Sequence, residues 1–166
     1  MITLPTTQKT LQRAVIRPAL RLLPEPMQPS DCIPLMGAIA QQETDLTTRV
    51  QSGGGPAHGL WQFEEGGGVK GVLTHHSTAD TAAGICAHFK IPATSHDVWL
   101  ALAENDELAA CFARMLLWTD AKPLPTVGDV EGSWNYYENL WRPGKPRPAP
   151  WPSNYAASLE AFEARR

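Results

Sequence analysis

The 166-residue sequence predicts an all-α domain with little or no β-sheet. Two apolar stripes carry that expectation: Met36, Ile39 and Ala40 recur at i, i+3 and i+4, and Leu108, Phe112, Met115 and Leu116 fall on one face of a second helix. Proline and glycine clusters, at 24–29, 53–59, 66–68, 123–128 and 143–152, punctuate the helical stretches. The length suits one domain with a single sizeable core. It divides into an N-terminal helical segment (1–29), a core bearing the candidate site (30–142), and a proline-rich strap with a C-terminal helix (143–166).

In chain order, Leu11, Val15, Ile16, Ala19, Leu20 and Leu23 place a helix over 10–23, with Pro18 expected to kink or split it. Arg13, Arg17 and Arg21 read as its solvated face. Pro24, Pro26 and Pro29 then impose an extended connection, after which Ser30 or Asp31 is expected to cap the next helix, with Pro34 tolerated in its first turn. That helix runs to Glu43, which completes the i, i+3, i+4, i+7 face with Met36, Ile39 and Ala40. A carboxylate ending a core-facing stripe sits at the core edge, where desolvation disfavours the charged form and allows it to serve as a general acid. The spacing by itself leaves two other outcomes open: Glu43 frays into solvent, or it pairs with Arg49.

Next comes SGGGPAHG, residues 52 to 59, which reads as irregular loop, followed by Leu60, Trp61, Gln62, Phe63, Glu64 and Glu65. An aromatic, an amide and a carboxylate on a backbone that permits close approach suit a polar, ring-shaped ligand such as a sugar. A loop with a core tryptophan would give the same residues. Gly66 to Gly68 make a further turn before Val69 to His75. Ser77 or Thr78 caps a helix striped by Ala82, Ile85, Cys86 and Phe89. Ser95 opens another through Val98, Trp99 and Leu102, and Asn105 caps the helix of Leu108 to Leu116, with Asp106 and Glu107 suiting the helix dipole. Arg114 and Trp118 lie near that stripe; the cleft edge is open to them, but nothing in the sequence requires it. Asp129 opens DVEGSWNYYENLW, where Trp134, Tyr136, Tyr137 and Trp141 concentrate aromatic surface of the kind sugar rings pack on. Pro143 to Pro152 is expected to run extended over the surface, and Ser153 to cap a last helix carrying Tyr155, Leu159 and Phe162.

The formal net charge of −3 and the lack of a Lys/Arg run argue against nucleic-acid binding, while leaving room for a local basic cleft facing an anionic polymer. Three cysteines, Cys32, Cys86 and Cys111, lack C-x-x-C spacing and read as small buried hydrophobes. The histidines at 75, 76, 88 and 96 have no paired ligand spacing, so no metal and no cofactor is expected. Residues 1–30 lack the apolar run of a signal peptide, and no stretch reaches transmembrane length, so synthesis in a bacterial cytoplasm without stable membrane insertion is expected.

Glu43-Thr44 after an apolar helix, then Gly-Pro-Ala-His-Gly-Leu-Trp-Gln at 55 to 62, resembles the group of soluble lytic transglycosylases and goose-type lysozymes. In that group a helix-terminal Glu-Ser precedes an Ala-x-Gly-Leu-Met-Gln loop. The chain as a whole, including Trp-Asn-Tyr-Tyr at 134 to 137 and Trp-Arg-Pro-Gly-Lys-Pro at 141 to 146, is similar to small lysozyme-like proteins of tailed bacteriophages. Thr44 replaces the usual Ser and Trp61 the usual Met, and the late Ala-Tyr-Asn-Ala-Gly motif is absent, its nearest counterpart being Asn135-Tyr136-Tyr137. The resemblance spans roughly residues 33 to 140.

It implies a lysozyme-like domain that cleaves the β-1,4 bond between N-acetylmuramic acid and N-acetylglucosamine in peptidoglycan. Glu43 would be the general acid, with Gly59, Leu60, Trp61, Gln62 and Tyr136 or Tyr137 holding the glycan. Hydrolysis needs a second carboxylate to activate water, for which Glu64 is favoured over Glu65 and Asp45. A lytic transglycosylase needs none and closes a 1,6-anhydro ring instead; hydrolysis is the favoured course, because a carboxylate is available in Glu64. A non-catalytic virion or glycan-binding protein is the alternative from another class. The expected partner is the glycan strand, the expected state a monomer, and access to the wall would come through a phage particle or a separate permeabilising protein.

Overall fold

A computed structural model describes residues 1–51 and 53–164; Ser52, in the glycine-rich loop, lies outside the described residues. The fold is all-α, with one two-stranded antiparallel sheet beside nine α-helical segments among those residues.

The N-terminal helix starts at α1 (Gln8–Leu11), passes through a π-helical turn (Gln12–Ile16) and continues as α2 (Arg17–Leu22). Pro18 therefore does not split it. Proline removes one N–H and crowds the carbonyl four residues back, and the wide turn just before it, in which the Arg17 N–H reaches Gln12, takes up that misfit. Two 3₁₀ turns, Glu25–Met27 and Ser30–Cys32, carry the chain into α3 (Ile33–Thr44). Neither Ser30 nor Asp31 caps α3: the 3₁₀ turn places Cys32 at the N-cap, with no side-chain bond.

Helix α3 is buried on every side from Ile33 through Ala40, so it is a central helix and the expected one-face stripe understates its burial. It packs most extensively on α9 (Trp151–Glu163). Gly37 makes that closeness possible, since a Cβ there would lie 2.2 Å from Ser158 Oγ and 2.5 Å from Gln8 Oε1. The second central helix is α7 (Asp106–Trp118), buried without interruption from Leu108 to Leu117 and capped by Asn105, whose Oδ1 accepts from the Glu107 and Leu108 N–H groups.

Between these helices the chain makes its small sheet, β1 (Ala57–His58) paired with β2 (Phe63–Glu64). Part of the stretch expected to be irregular is thus a short hairpin. The glycines after it form a second π-helical turn (Glu65–Val69) that runs directly into α4 (Lys70–Thr74). Helices α5 (Ala79–His88), α6 (Ser95–Leu102) and α8 (Val130–Trp141) complete the chain. Thr78 precedes α5 but donates its hydroxyl to the Val72 carbonyl instead of capping the helix. Thr94 caps α6, and Asp129 caps α8 by accepting from Gly132 N–H. Helix α9 begins at Trp151, two residues before Ser153, whose hydroxyl donates to the Pro150 carbonyl.

All three cysteines are buried and free. Arg49 pairs with Asp106, not with Glu43: its Nε and Nη2 donate to Asp106 Oδ1 and Oδ2 at 2.6 and 2.7 Å, and Ile2 N–H donates to the same carboxylate at 2.8 Å. That network ties the chain start and the segment after α3 to the first turn of α7.

Candidate active site

Glu43 lies in the last turn of α3, half-buried, on the wall of a cleft of about 1020 Å³. Local structure fixes it there. Asp45 and Leu46 take left-handed conformations, with φ of 50° and 54°, so the helix stops abruptly. Thr44 braces the stop: its hydroxyl donates to the Ala40 carbonyl at 2.8 Å and accepts from Leu46 N–H at 3.2 Å. The cleft is walled by this helix end, the β1–β2 hairpin with the glycine turn behind it, the end of α8, and residues 142–147 of the strap.

The Tyr137 hydroxyl, on α8, donates to Glu43 Oε1 at 2.6 Å. Its ring is 3 % exposed and stacks on Trp151 of α9, centroids 5.2 Å apart and planes within 10°. Burial, and then the neighbouring Glu43 carboxylate, push the phenol well above its ordinary 10.0, so it stays a donor. Arg147 approaches from the strap. Its Nη2 donates to the Gln42 carbonyl at 2.9 Å, while Gln42 Nε2 donates to the Arg147 carbonyl at 2.8 Å and Gln42 Oε1 accepts from Asn154 Nδ2 at 2.8 Å.

These neighbours act in opposite senses on Glu43. Burial raises its pKa above the ordinary 4.5, and the Tyr137 hydrogen bond and the Arg147 charge oppose that rise without cancelling it. With Oε1 engaged and Oε2 unpartnered among the described residues, the proton of the neutral acid belongs on Oε2.

The other residues expected at the site separate into two groups. Glu64, on β2, is exposed on the cleft wall, and its carboxylate has no partner among the described residues. Gln62 also lines the cleft, held by its own Nε2 donating to the Gly59 carbonyl at 2.9 Å. Leu60 and Trp61 do not reach the cleft. Both are 0 % exposed, and Trp61 Nε1 donates to the Met36 carbonyl at 2.9 Å, so this segment braces the middle of α3. Gly59 is buried, with φ of +78°; a Cβ there would lie 2.9 Å from the Leu102 carbonyl, so its role is to seat the hairpin against α6. Tyr136 is on the wrong side of α8: consecutive helical residues point about 100° apart, and its hydroxyl reaches the Leu117 and Lys122 carbonyls.

Arg114 is likewise away from the Glu43 cleft, its guanidinium 5.1 Å over the Trp118 ring and its Nε donating to the Met27 carbonyl. Glu65 faces His96 at 3.2 Å. Asp45 does line the cleft, exposed, next to the acid.

The cleft also takes in Arg142, Lys145 and Arg147, which the sequence did not assign to the site, and Trp141, which it named only among the aromatics that suit sugar rings. Trp141 had a local signal, because it lies four residues after Tyr137 and shares its face. It supplies a half-buried ring whose Nε1 donates to the Trp61 carbonyl at 2.9 Å. The three cations had none, since nothing in a proline-rich segment says where it lies.

No group of three His, Cys, Asp or Glu side chains gathers into a metal-binding set among the described residues, and no helix there is long and apolar enough to cross a membrane. No family model, curated protein or solved structure matches the chain.

Proposed function

We propose that the protein cleaves the β-1,4 glycosidic bond between N-acetylmuramic acid and N-acetylglucosamine in peptidoglycan, with Glu43 as general acid. The observation that carries this reading is the half-buried Glu43 carboxyl, its pKa raised by burial and one oxygen held by Tyr137, on the wall of a cleft of about 1020 Å³. Such an acid keeps its proton at pH values where a solvated carboxylate has lost it. The cleft, at about 1020 Å³, lies at the upper end of the size range of ligand pockets.

Oε2 of Glu43 gives its proton to the glycosidic oxygen as the C–O bond breaks, leaving an oxocarbenium-like sugar. In the hydrolytic course Glu64, exposed on the hairpin wall, takes a proton from water as that water attacks the anomeric carbon. Trp141 offers a ring for a sugar face and Gln62 an amide beside it.

A second course is favoured by one specific observation. Nothing among the described residues holds the Glu64 carboxylate, whereas Glu43 is held. If Glu43, now ionised, takes back a proton from the muramic 6-hydroxyl as that oxygen attacks the anomeric carbon, the same residue serves as acid and base and the product is a 1,6-anhydro end. Digestion of purified sacculi followed by mass analysis tests both. Products with ordinary reducing ends support hydrolysis, products lighter by one water support transglycosylation, and intact sacculi refute cleavage altogether.

A further inference from the structure

The charges around the cleft are segregated. Glu43, Asp45 and Glu64 come from the end of α3 and the hairpin, whereas Arg142, Lys145 and Arg147 all come from one six-residue segment, RPGKPR, in a chain of net charge −3. All three cations are exposed, and none forms an ion pair among the described residues. Two of the three are also held in place. Arg142 ends α8 in a left-handed conformation, φ 49°, and its Nε donates to the Asn139 carbonyl at 3.2 Å. Arg147 is fixed through its reciprocal bonds with Gln42. Pro143 and Pro146 restrict the backbone between them.

Arg142 and Lys145, on the cleft wall and in no ion pair among the described residues, are arranged for anions on the ligand, whereas the charge of Arg147 already acts on the Glu43 carboxyl. We infer that residues 142–147 form a carboxylate-reading subsite, with Arg142 and Lys145 binding acidic groups borne by the glycan and so setting which way the strand lies across Glu43. This rests on the proposed glycan-cleaving function and names the part of the substrate that the cleft reads. On such a strand the carboxylates belong either to the lactyl ether of the sugar or to peptides attached to it. Both present the same chemistry to the two side chains.

The test uses the full chain carrying Glu43→Gln, which holds glycan without cutting it, with and without Arg142→Gln and Lys145→Gln together. Arg147 is left intact because it lies beside the acid. Binding is measured to strands bearing peptides, to strands stripped of peptide so that the lactyl carboxylate is free, to the same two with carboxylates amidated, and to a neutral N-acetylglucosamine hexamer. The double substitution is expected to weaken binding to carboxylated strands about three- to ten-fold, as loss of two exposed charge pairs implies, and to flatten the salt dependence. It should leave amidated strands and the hexamer unaffected. Loss on peptide-bearing strands alone assigns the peptide carboxylates, and loss on stripped strands assigns the lactyl group. Equal binding of carboxylated and amidated strands by the Glu43→Gln parent overturns the subsite. Cleavage by the wild type is scored separately: carboxylate-dependent binding with no cleavage refutes the enzyme and keeps the subsite, while cleavage insensitive to amidation does the reverse.

Discussion

The Tyr137 hydroxyl donates to Glu43 Oε1 across 2.6 Å, joining α8 to the end of α3 over 94 residues of sequence. In the proposed reaction this bond makes Glu43 a directed acid. A carboxyl free to rotate would offer its proton in any direction, whereas one anchored through Oε1 keeps the proton on Oε2 in one direction. The cost is a partial offset of the pKa rise that burial produces, because a donor to the carboxylate favours the charged form.

Replacing Glu43 by Gln should leave the fold intact and lower sacculus degradation by at least about 10²-fold, the lower bound of what a positioned general acid contributes. It should also change the pH dependence of stability. The folded pKa of Glu43 lies above the unfolded value, so between the two the folded state binds more protons and stability falls as pH rises. Melting temperatures measured upward from pH 4.5 should show that decline in the wild type and a shallower one in the variant. Wild-type turnover by folded Glu43→Gln removes this residue from the mechanism.

Tyr137→Phe keeps the ring on Trp151 and removes only the donor. The Glu43 pKa then rises further, and since the acid must be protonated to act, the alkaline limb of the kcat/KM profile should move to higher pH. Loss of the anchor should at the same time lower kcat by about 10–100-fold. An alkaline limb that stays put, or moves down, contradicts the assigned bond.

Glu64→Gln separates the two chemical courses. Under hydrolysis it should cost about 10²–10⁴ in rate, the value of general base catalysis. Under transglycosylation the rate stays near wild type. Because Glu64 is exposed and unpartnered among the described residues, its removal should change the unfolding free energy by no more than about 0.5 kcal/mol in either case, so any rate loss reports chemistry.

Trp61→Ala should destabilise the protein by about 3–5 kcal/mol, the usual cost of deleting a buried aromatic, and it also breaks the bond to the Met36 carbonyl. Tyr136→Phe should cost about 0.5–1.5 kcal/mol, one buried hydrogen bond, and leave sacculus binding unchanged. Denaturant melts and pelleting with sacculi measure the two effects. Weaker glycan binding by stable Tyr136→Phe would bring that residue back to the site.

How far the sequence reaches can be judged residue by residue. Helical periodicity located α3 and α7, because a buried stripe must recur every three or four residues whatever it packs against. It also put Glu43 at the edge of the core, and the same period links Tyr137 to Trp141. Sequence alone determined α3 and α7 and the place of Glu43 on the first of them. Which tyrosine meets that acid was decided by the rotation of α8 against α9, through the stack of Tyr137 on Trp151. A flat aromatic serves a core or a sugar equally well, and Trp61 went to the core because its indole N–H found the Met36 carbonyl 25 residues away. The strap gave least warning. Proline fixes a backbone angle but no destination, so only the pairing of Gln42 with Arg147, 105 residues apart, laid three cations along the cleft.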